Sequence, residues 1–295
     1  MSGSKCGRAA VCLIMFASTL ARAQAWLPDA GTLDFSVVHT DVQNDIHYLP
    51  NGDELDAGHA RTFSDVLGVA YSPSDHWLLS ASIPYVRAMY HGNFPDPGSP
   101  LDDGRYHGTF TDLRTELHYQ VQEQPFAFSP FVALVVPTHS YVALGHSAPG
   151  RDLHEEWIGF FLGKSLDQWL PRTYVQVRYA YAFVEKLMDV THDRSFADLE
   201  VGHFLNAKWS MRVLASWMSP HGGIDIPPPM GSPYMQIHDR IAAERYVQAG
   251  SGVAWSPSER TSLYFLYRRS LSGANGHKIN NGFTFGYDYS FHVGH

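Results

Sequence analysis

Polar and apolar residues alternate with a period of two along most of this chain. In TDLRTELHYQV, Thr111 to Val121, the set Asp112, Arg114, Glu116, His118 and Gln120 interleaves with Thr111, Leu113, Thr115, Leu117, Tyr119 and Val121. Successive side chains of a strand point to opposite faces, so this is a β-strand with one ionisable face and one mostly apolar face. Tyr174, Gln176, Arg178 and Ala180 alternate in the same way with Val175, Val177, Tyr179 and Tyr181. Asp198, Glu200 and Gly202 oppose Ala197, Leu199 and Val201, and Ser210, Arg212 and Ser216 oppose Trp209, Met211, Val213, Ala215 and Trp217. Near the end Thr284, Gly286, Asp288 and Ser290 oppose Phe283, Phe285, Tyr287, Tyr289 and Phe291.

Twelve such runs are predicted, at 32–42, 60–71, 76–89, 109–121, 126–137, 155–165, 173–186, 195–205, 209–218, 244–255, 260–271 and 281–292. Joints after the even-numbered runs are tight, as in Ser72-Pro73-Ser74-Asp75. Joints after the odd-numbered runs are longer, notably 43–59, 90–108, 138–154 and 219–243. That layout predicts an all-β fold: a transmembrane antiparallel up-and-down β-barrel of about 12 strands, with short periplasmic turns and long external loops. An even strand count puts both ends of the barrel on the periplasmic side.

Alternation alone leaves open which face points outward, because a soluble sandwich also alternates. Aromatic placement argues for the membrane: Trp77, Trp209 and Trp255 sit beside tight turns, and Trp157, Trp217 and Tyr85 sit near long loops, as expected of rings gathered at two water–lipid boundaries. The polar face mixes Gly, Ala and Ser with full charges, which a dry, close-packed core could not accommodate. The expectation is a polar face lining enclosed water and an apolar face against acyl chains, with closure removing every free strand edge.

Residues 1–23 read as an export signal: Lys5 and Arg8 precede an apolar run too short to span a bilayer, and Ala21-Arg22-Ala23 is an A-x-A cleavage site. Residues 24–295 form a single outer-membrane barrel domain in this reading. Both cysteines, Cys6 and Cys12, fall in the leader, which excludes disulfides, thiolate nucleophiles and cysteine metal sites from the remainder. Removing Lys5, Arg8 and Arg22 leaves 18 basic against 29 acidic residues, a net charge of −11 that argues against nucleic acid as a partner. No segment of this domain reaches the ~18 consecutive apolar residues of a transmembrane helix.

Several stretches resemble the family known as putative MetA-pathway of phenol degradation proteins, exported outer-membrane barrels described as transporters. FTDLRTELHYQ is similar to that family's aromatic-Gly-Asp-Leu strand opening. SPFVALVVPTHSYVALGHSAPG is similar to its Pro-Thr-Gly strand end and Gly-rich loop, and SERTSLYFLYRRSLSGANGHKINNGFTFGYDYSF to its last hairpin. Thr111 and His139 replace glycines of the family pattern, and four residues follow Phe291 where such barrels end on the aromatic. The resemblance implies passage or binding of hydrophobic or aromatic small molecules and supplies no catalytic residue.

The candidate lumen-lining residues are the acids Asp34, Asp112, Glu116, Asp198, Glu200 and Asp288, the bases Arg114, Arg178, Arg212 and Arg268, and His118. Two readings are open: a structural network of paired charges partly filling the bore, and a polar constriction that selects solutes. Outer-membrane phospholipases place a serine and a histidine two apart on one strand, and none of the 17 histidines is followed by x-Ser, so no catalytic site is expected. His139, His146 and His154, near Asp152, Glu155 and Glu156, lack ligand spacing and read as solvated loop residues; no metal or cofactor is expected. Loop 219–243 reads either as a folded cap or as an apolar entrance. The sequence does not place Ala25 and the residues after it.

The expected function is a monomeric outer-membrane channel of a Gram-negative bacterium for passive passage of small compounds. Its expected partners are outer-membrane lipid, a small solute and the barrel-assembly machinery. A structural or surface-binding barrel with a blocked lumen is the alternative, and a lipid-modifying enzyme the third.

Overall fold

The computed structural model describes residues 25–92, 98–228 and 232–293, so the export-signal expectation lies outside the described residues. Fourteen strands run in chain order: β1 (Thr32–Tyr48), β2 (Glu54–Ser74), β3 (Trp77–His91), β4 (His107–Phe110), β5 (Asp112–Tyr119), β6 (Ala127–Pro137), β7 (Glu155–Ser165), β8 (Thr173–Val184), β9 (His192–Phe204), β10 (Trp209–Gly222), β11 (Arg245–Ser258), β12 (Thr261–Ala274), β13 (Gly276–Lys278) and β14 (Asn281–His292). β4 and β5 pair consecutively along β3 and are one barrel strand broken at Thr111; β13 and β14 likewise share β1. The barrel therefore has twelve antiparallel strands, each paired with its sequence neighbours.

β1 closes the sheet. It pairs with β2 from Leu33↔Tyr71 upward and with β14 from Thr32↔His292 to Gln43↔Asn281, so no strand edge faces lipid. Among the described residues no helix is long and apolar enough to cross a membrane.

Burial identifies the outward face. On β10, Trp209, Met211, Val213 and Trp217 are 44%, 47%, 62% and 41% exposed, whereas Arg212, between them, is buried. Trp209 and Trp217 bracket an apolar band roughly 20 Å tall, for strands rising ~3.3 Å per residue at a tilt of ~40°. The girdle recurs at the short-turn end, where Trp209 stacks on Trp255 and Trp77 packs on Tyr119.

Strands β1 to β3, of 17, 21 and 15 residues, exceed the ~9–11 needed to cross. Their outer face turns polar above Val37 and Leu67: His39 pairs with Asp65 at 2.7 Å, Arg61 with Asp41 at 2.6 Å, and Arg87 with Asp65 at 3.3 Å. These charges mark where lipid ends and the external rim begins.

Trp157 departs from expectation. It lies on the inward set of β7 with Glu155, Phe161 and Gly163, while Ile158 and Leu162 face out. Its indole stacks on Phe196 and donates to Glu155 Oε2 at 2.9 Å. The reason lies in β6 and β7, SPFVALVV and EWIGFFLG, which are apolar on both faces and leave periodicity nothing to sort.

Candidate functional site

The barrel interior divides into a filled wall and an open cavity. The filled wall is β5 to β8. Arg114, Glu116 and His118 follow each other at two-residue spacing on β5; the Arg114 Nε donates to Glu116, and His118 Nε2 lies 2.7 Å from the other oxygen of that carboxylate. Arg178 on β8 meets its register partner Asp198 on β9 at 3.2 Å, and Ser216 Oγ donates to the same carboxylate at 2.6 Å.

Aromatic rings cover these charges. The Arg114 guanidinium sits 4.3 Å over Trp157, and Arg178 lies 5.3–5.9 Å from Phe131, Trp157 and Phe161. His118 stacks on Phe131 and Phe161. Cation–π contacts of this kind contribute ~0.5–2 kcal/mol, more when desolvated. Arg114 and His118 are thus paired with Glu116, and Arg178 with Asp198, beneath a ring cluster, the arrangement that the paired-charge reading of these candidates describes. The cause is the apolar inward row of β6 and β7, which the alternation on β5 gives no warning of.

The segment after Ala25 enters this wall from the short-turn end. Ala25 N donates to Gln176 Oε1 at 3.1 Å, Leu27 N to Gln120 Oε1 at 3.0 Å, and Trp26 meets Tyr174 edge-on. Gly163 makes room: a Cβ there would fall 2.4 Å from that of Ala25 and 2.7 Å from the Trp26 ring.

Opposite lies a cavity of about 460 Å³. One side is aliphatic and hydroxyl-bearing, with Val38, Thr40, Val42, Ser64, Val66 and Thr284. The other carries Asp198, Glu200, Arg212, Gln248, Tyr264 and Arg268. Glu200 accepts from Tyr174 at 2.5 Å and Gln176 at 3.0 Å and pairs with Arg212 at 3.5 Å. Asp34 and Asp288, on the short-turn side of β1 and β14, are both buried; Ser290 donates to Asp34, and both Asp288 oxygens lack a hydrogen-bond partner among the described residues.

External loops fold over the top. Loop 138–154 lines the cavity through Pro149. It is pinned to the start of β5: Thr138 Oγ1 donates to Thr111 O at 2.7 Å, and Tyr141 Oη donates to Asp112 at 2.7 Å while accepting from Asp152 N at 2.8 Å. Burial, followed by the Asp112 carboxylate, pushes the Tyr141 phenol well above the usual tyrosine range.

The described residues between β10 and β11, 223–228 and 232–244, form a cap. Ile226 and Ile241 are buried, Ile226 N donates to Asn275 at 3.0 Å, and Arg240 donates to the carbonyls of Arg151 at 2.7 Å and Asp152 at 2.5 Å.

The loop histidines separate. His139 bonds Thr109 at 3.0 Å and His154 bonds Glu185 at 3.0 Å, whereas His146 joins His47 and His277, which sequence spacing could not have linked. A Ser–His contact exists across strands: Ser195 Oγ lies 2.7 Å from His221 Nε2. Ser195 also bonds the Tyr179 hydroxyl at 3.1 Å and is buried.

Closed twelve-stranded sheet, lipid-height aromatic band and charged interior together define a β-barrel of the outer-membrane type. No protein-family model and no curated protein matches the sequence. Among solved structures the chain is similar to an outer membrane channel from Pseudomonas putida F1, at 15% identity and TM-score 0.72 over 90% of this chain and 98% of that one. It is also similar to the β domain of the Bordetella autotransporter BrkA, at 13% and 0.52 over 88% and 100%, and to the NanC porin, at 10% and 0.50 over 88% and 100%. At these identities the likeness establishes the shared fold.

Proposed function

We propose that this protein is a passive outer-membrane channel for small, largely apolar solutes, aromatic compounds among them, which cross by way of the interior cavity. The observation that carries the reading is that cavity: about 460 Å³ of space inside a closed barrel, with an aliphatic side facing a side of placed charges and hydroxyls. Small-molecule sites are commonly ~300–1,000 Å³, mostly apolar, with a few oriented polar groups. The Val38–Val42–Val66 side supplies apolar contact, and Arg212, Glu200 and Tyr264 supply polar edges. Passage requires the cap formed by loop 138–154 and the described residues between β10 and β11 to open. The resemblance to the phenol-degradation family supports an aromatic solute. No energy source or catalytic step enters this reading; its partners are outer-membrane lipid and the machinery that assembles barrels, reached through an export signal in residues 1–23.

Reconstituted protein tests it. Proteoliposomes should take up phenol-sized aromatics faster than empty vesicles, and planar bilayers should show discrete openings. Residues 25–27, bonded to the inner wall, together with the folded cap, favour a second reading, a barrel with a blocked lumen whose loops bind a partner. Electrical silence together with uptake equal to that of empty vesicles would decide for it.

A further inference from the structure

Three histidines from distant parts of the chain converge at the external mouth. His47 closes β1, His277 lies on β13 as its register partner, and His146 comes from loop 138–154. One ring nitrogen of each falls within 4.8 Å of the others, and the ring centroids of His47 lie 4.1 Å from His277 and 5.0 Å from His146. We propose that His47, His146 and His277 bind a first-row divalent transition-metal ion of the Zn²⁺ class.

Each ligand is held in place independently of the ion. Backbone pairing of β1 and β13 fixes the first two. His146 sits on a loop whose amides close on Asp102: His146 N and Ser147 N donate to its two carboxylate oxygens, each at 3.1 Å, and the Ser147 hydroxyl donates at 2.8 Å. Gly145, at φ +108°, allows the turn; a Cβ there would lie 2.3 Å from Ser99 Oγ. Tyr90 stacks on the outer face of His146 at 4.4 Å.

The donor set suits the ion. Tetrahedral nitrogen ligands at ~2.0–2.1 Å from zinc lie about 3.4 Å apart, which small ring rotations reach from the present separations. Imidazole favours Zn²⁺, Cu²⁺ and Ni²⁺ over Ca²⁺ or Mg²⁺. Metal binding needs neutral rings. The site lies about ten residues beyond Val37, above the lipid band. Asp239 stands near His47 and accepts from Gly145 N at 2.9 Å, which steadies the loop that carries His146; His238 is the other ionisable neighbour. Three imidazole nitrogens gathered within 4.8 Å of one another from three segments suit chelation, since ring stacking alone does not require the nitrogens to gather.

The test uses full-length folded protein without a polyhistidine tag, stripped with chelator and titrated with Zn²⁺, then with Co²⁺ for its tetrahedral absorption. One strongly bound ion per chain is expected, undisturbed by excess Ca²⁺ or Mg²⁺. His277→Ala and His146→Gln should weaken it at least about tenfold, since even outer-shell changes at metal sites cost ~10–100-fold. His139→Ala and His154→Ala should leave it unchanged. Heat-modifiable migration on a denaturing gel establishes that each variant is folded. No tight Zn²⁺ site in the parent, or wild-type affinity in both folded His277→Ala and His146→Gln, would overturn the proposal.

Discussion

Arg178 and Asp198 are register partners on adjacent strands, and their side chains meet at 3.2 Å inside the barrel beneath Phe131, Trp157 and Phe161. Both are 13% exposed. Removing one member leaves the other charge poorly solvated, which costs ~3–5 kcal/mol for buried pairs. Arg178→Ala should therefore destabilise the folded barrel by a few kcal/mol in urea titrations followed by tryptophan fluorescence. Arg178→Ala with Asp198→Ala should cost less than the two single changes added, with a coupling of ~0.5–3 kcal/mol. Strict additivity would mean that the pair does not hold the wall together.

Under the channel reading, ion selectivity would rest on different arginines. Arg212 and Arg268 line the cavity with Asp198 and Glu200, whereas Arg114 is spent on Glu116 and Trp157 in the filled wall. Arg268→Ala should shift the reversal potential under a KCl gradient toward cation preference, because the cavity acids stay behind. Arg114→Ala should lower stability and leave the reversal potential near the parent value. A conducting Arg268→Ala barrel with unaltered selectivity would remove that arginine from the permeation path.

The fold was largely legible because lipid and closure leave a strand few choices. Each of the twelve expected runs falls on one of the twelve barrel strands, and 155–165 and 281–292 coincide with β7 and β14 end to end. Where the lipid stops, so does the signal: β1 was expected to end at 42 and continues to Tyr48 through VQNDIHY, whose polarity no longer alternates. The inward ring cluster was not legible, since β6 and β7 are apolar on both faces and Trp157 could equally have joined the outer girdle. Neither was the histidine cluster, because His47, His146 and His277 meet only through strand register and a loop fold, and neither leaves a trace in local spacing.

The outer band gives a test of orientation that needs no current. Val213 lies midway between Trp209 and Trp217 on the lipid face and is 62% exposed. An arginine near the bilayer midplane of a barrel costs ~2–4 kcal/mol, falling to ~0–1 near the interfaces. Val213→Arg should lower folding stability in lipid vesicles by that larger amount, whereas Leu205→Arg, in the short turn between β9 and β10, should change it by about 1 kcal/mol or less. Equal costs at the two positions would place the hydrocarbon band elsewhere.

Under the channel reading, opening of the cap would turn on Tyr141, whose hydroxyl joins the start of β5 to the backbone of its own loop through Asp112 and Asp152. Tyr141→Phe deletes both bonds and strands the Asp152 amide, a loss of ~1–3 kcal/mol concentrated on the loop. Under the channel reading this raises open probability, and it should speed tryptic cleavage at Arg151. Alkali ought to mimic the substitution. Because the folded protein holds the phenol's proton more tightly than the unfolded chain does, the contribution is complete below the ordinary tyrosine value of ~10 and fades as pH climbs from there toward the raised one. The parent should therefore show cleavage at Arg151 accelerating above pH ~10, with no such step in Tyr141→Phe. A step of equal size in both proteins would assign the alkaline opening to some other group and leave Tyr141 a bystander in the cap.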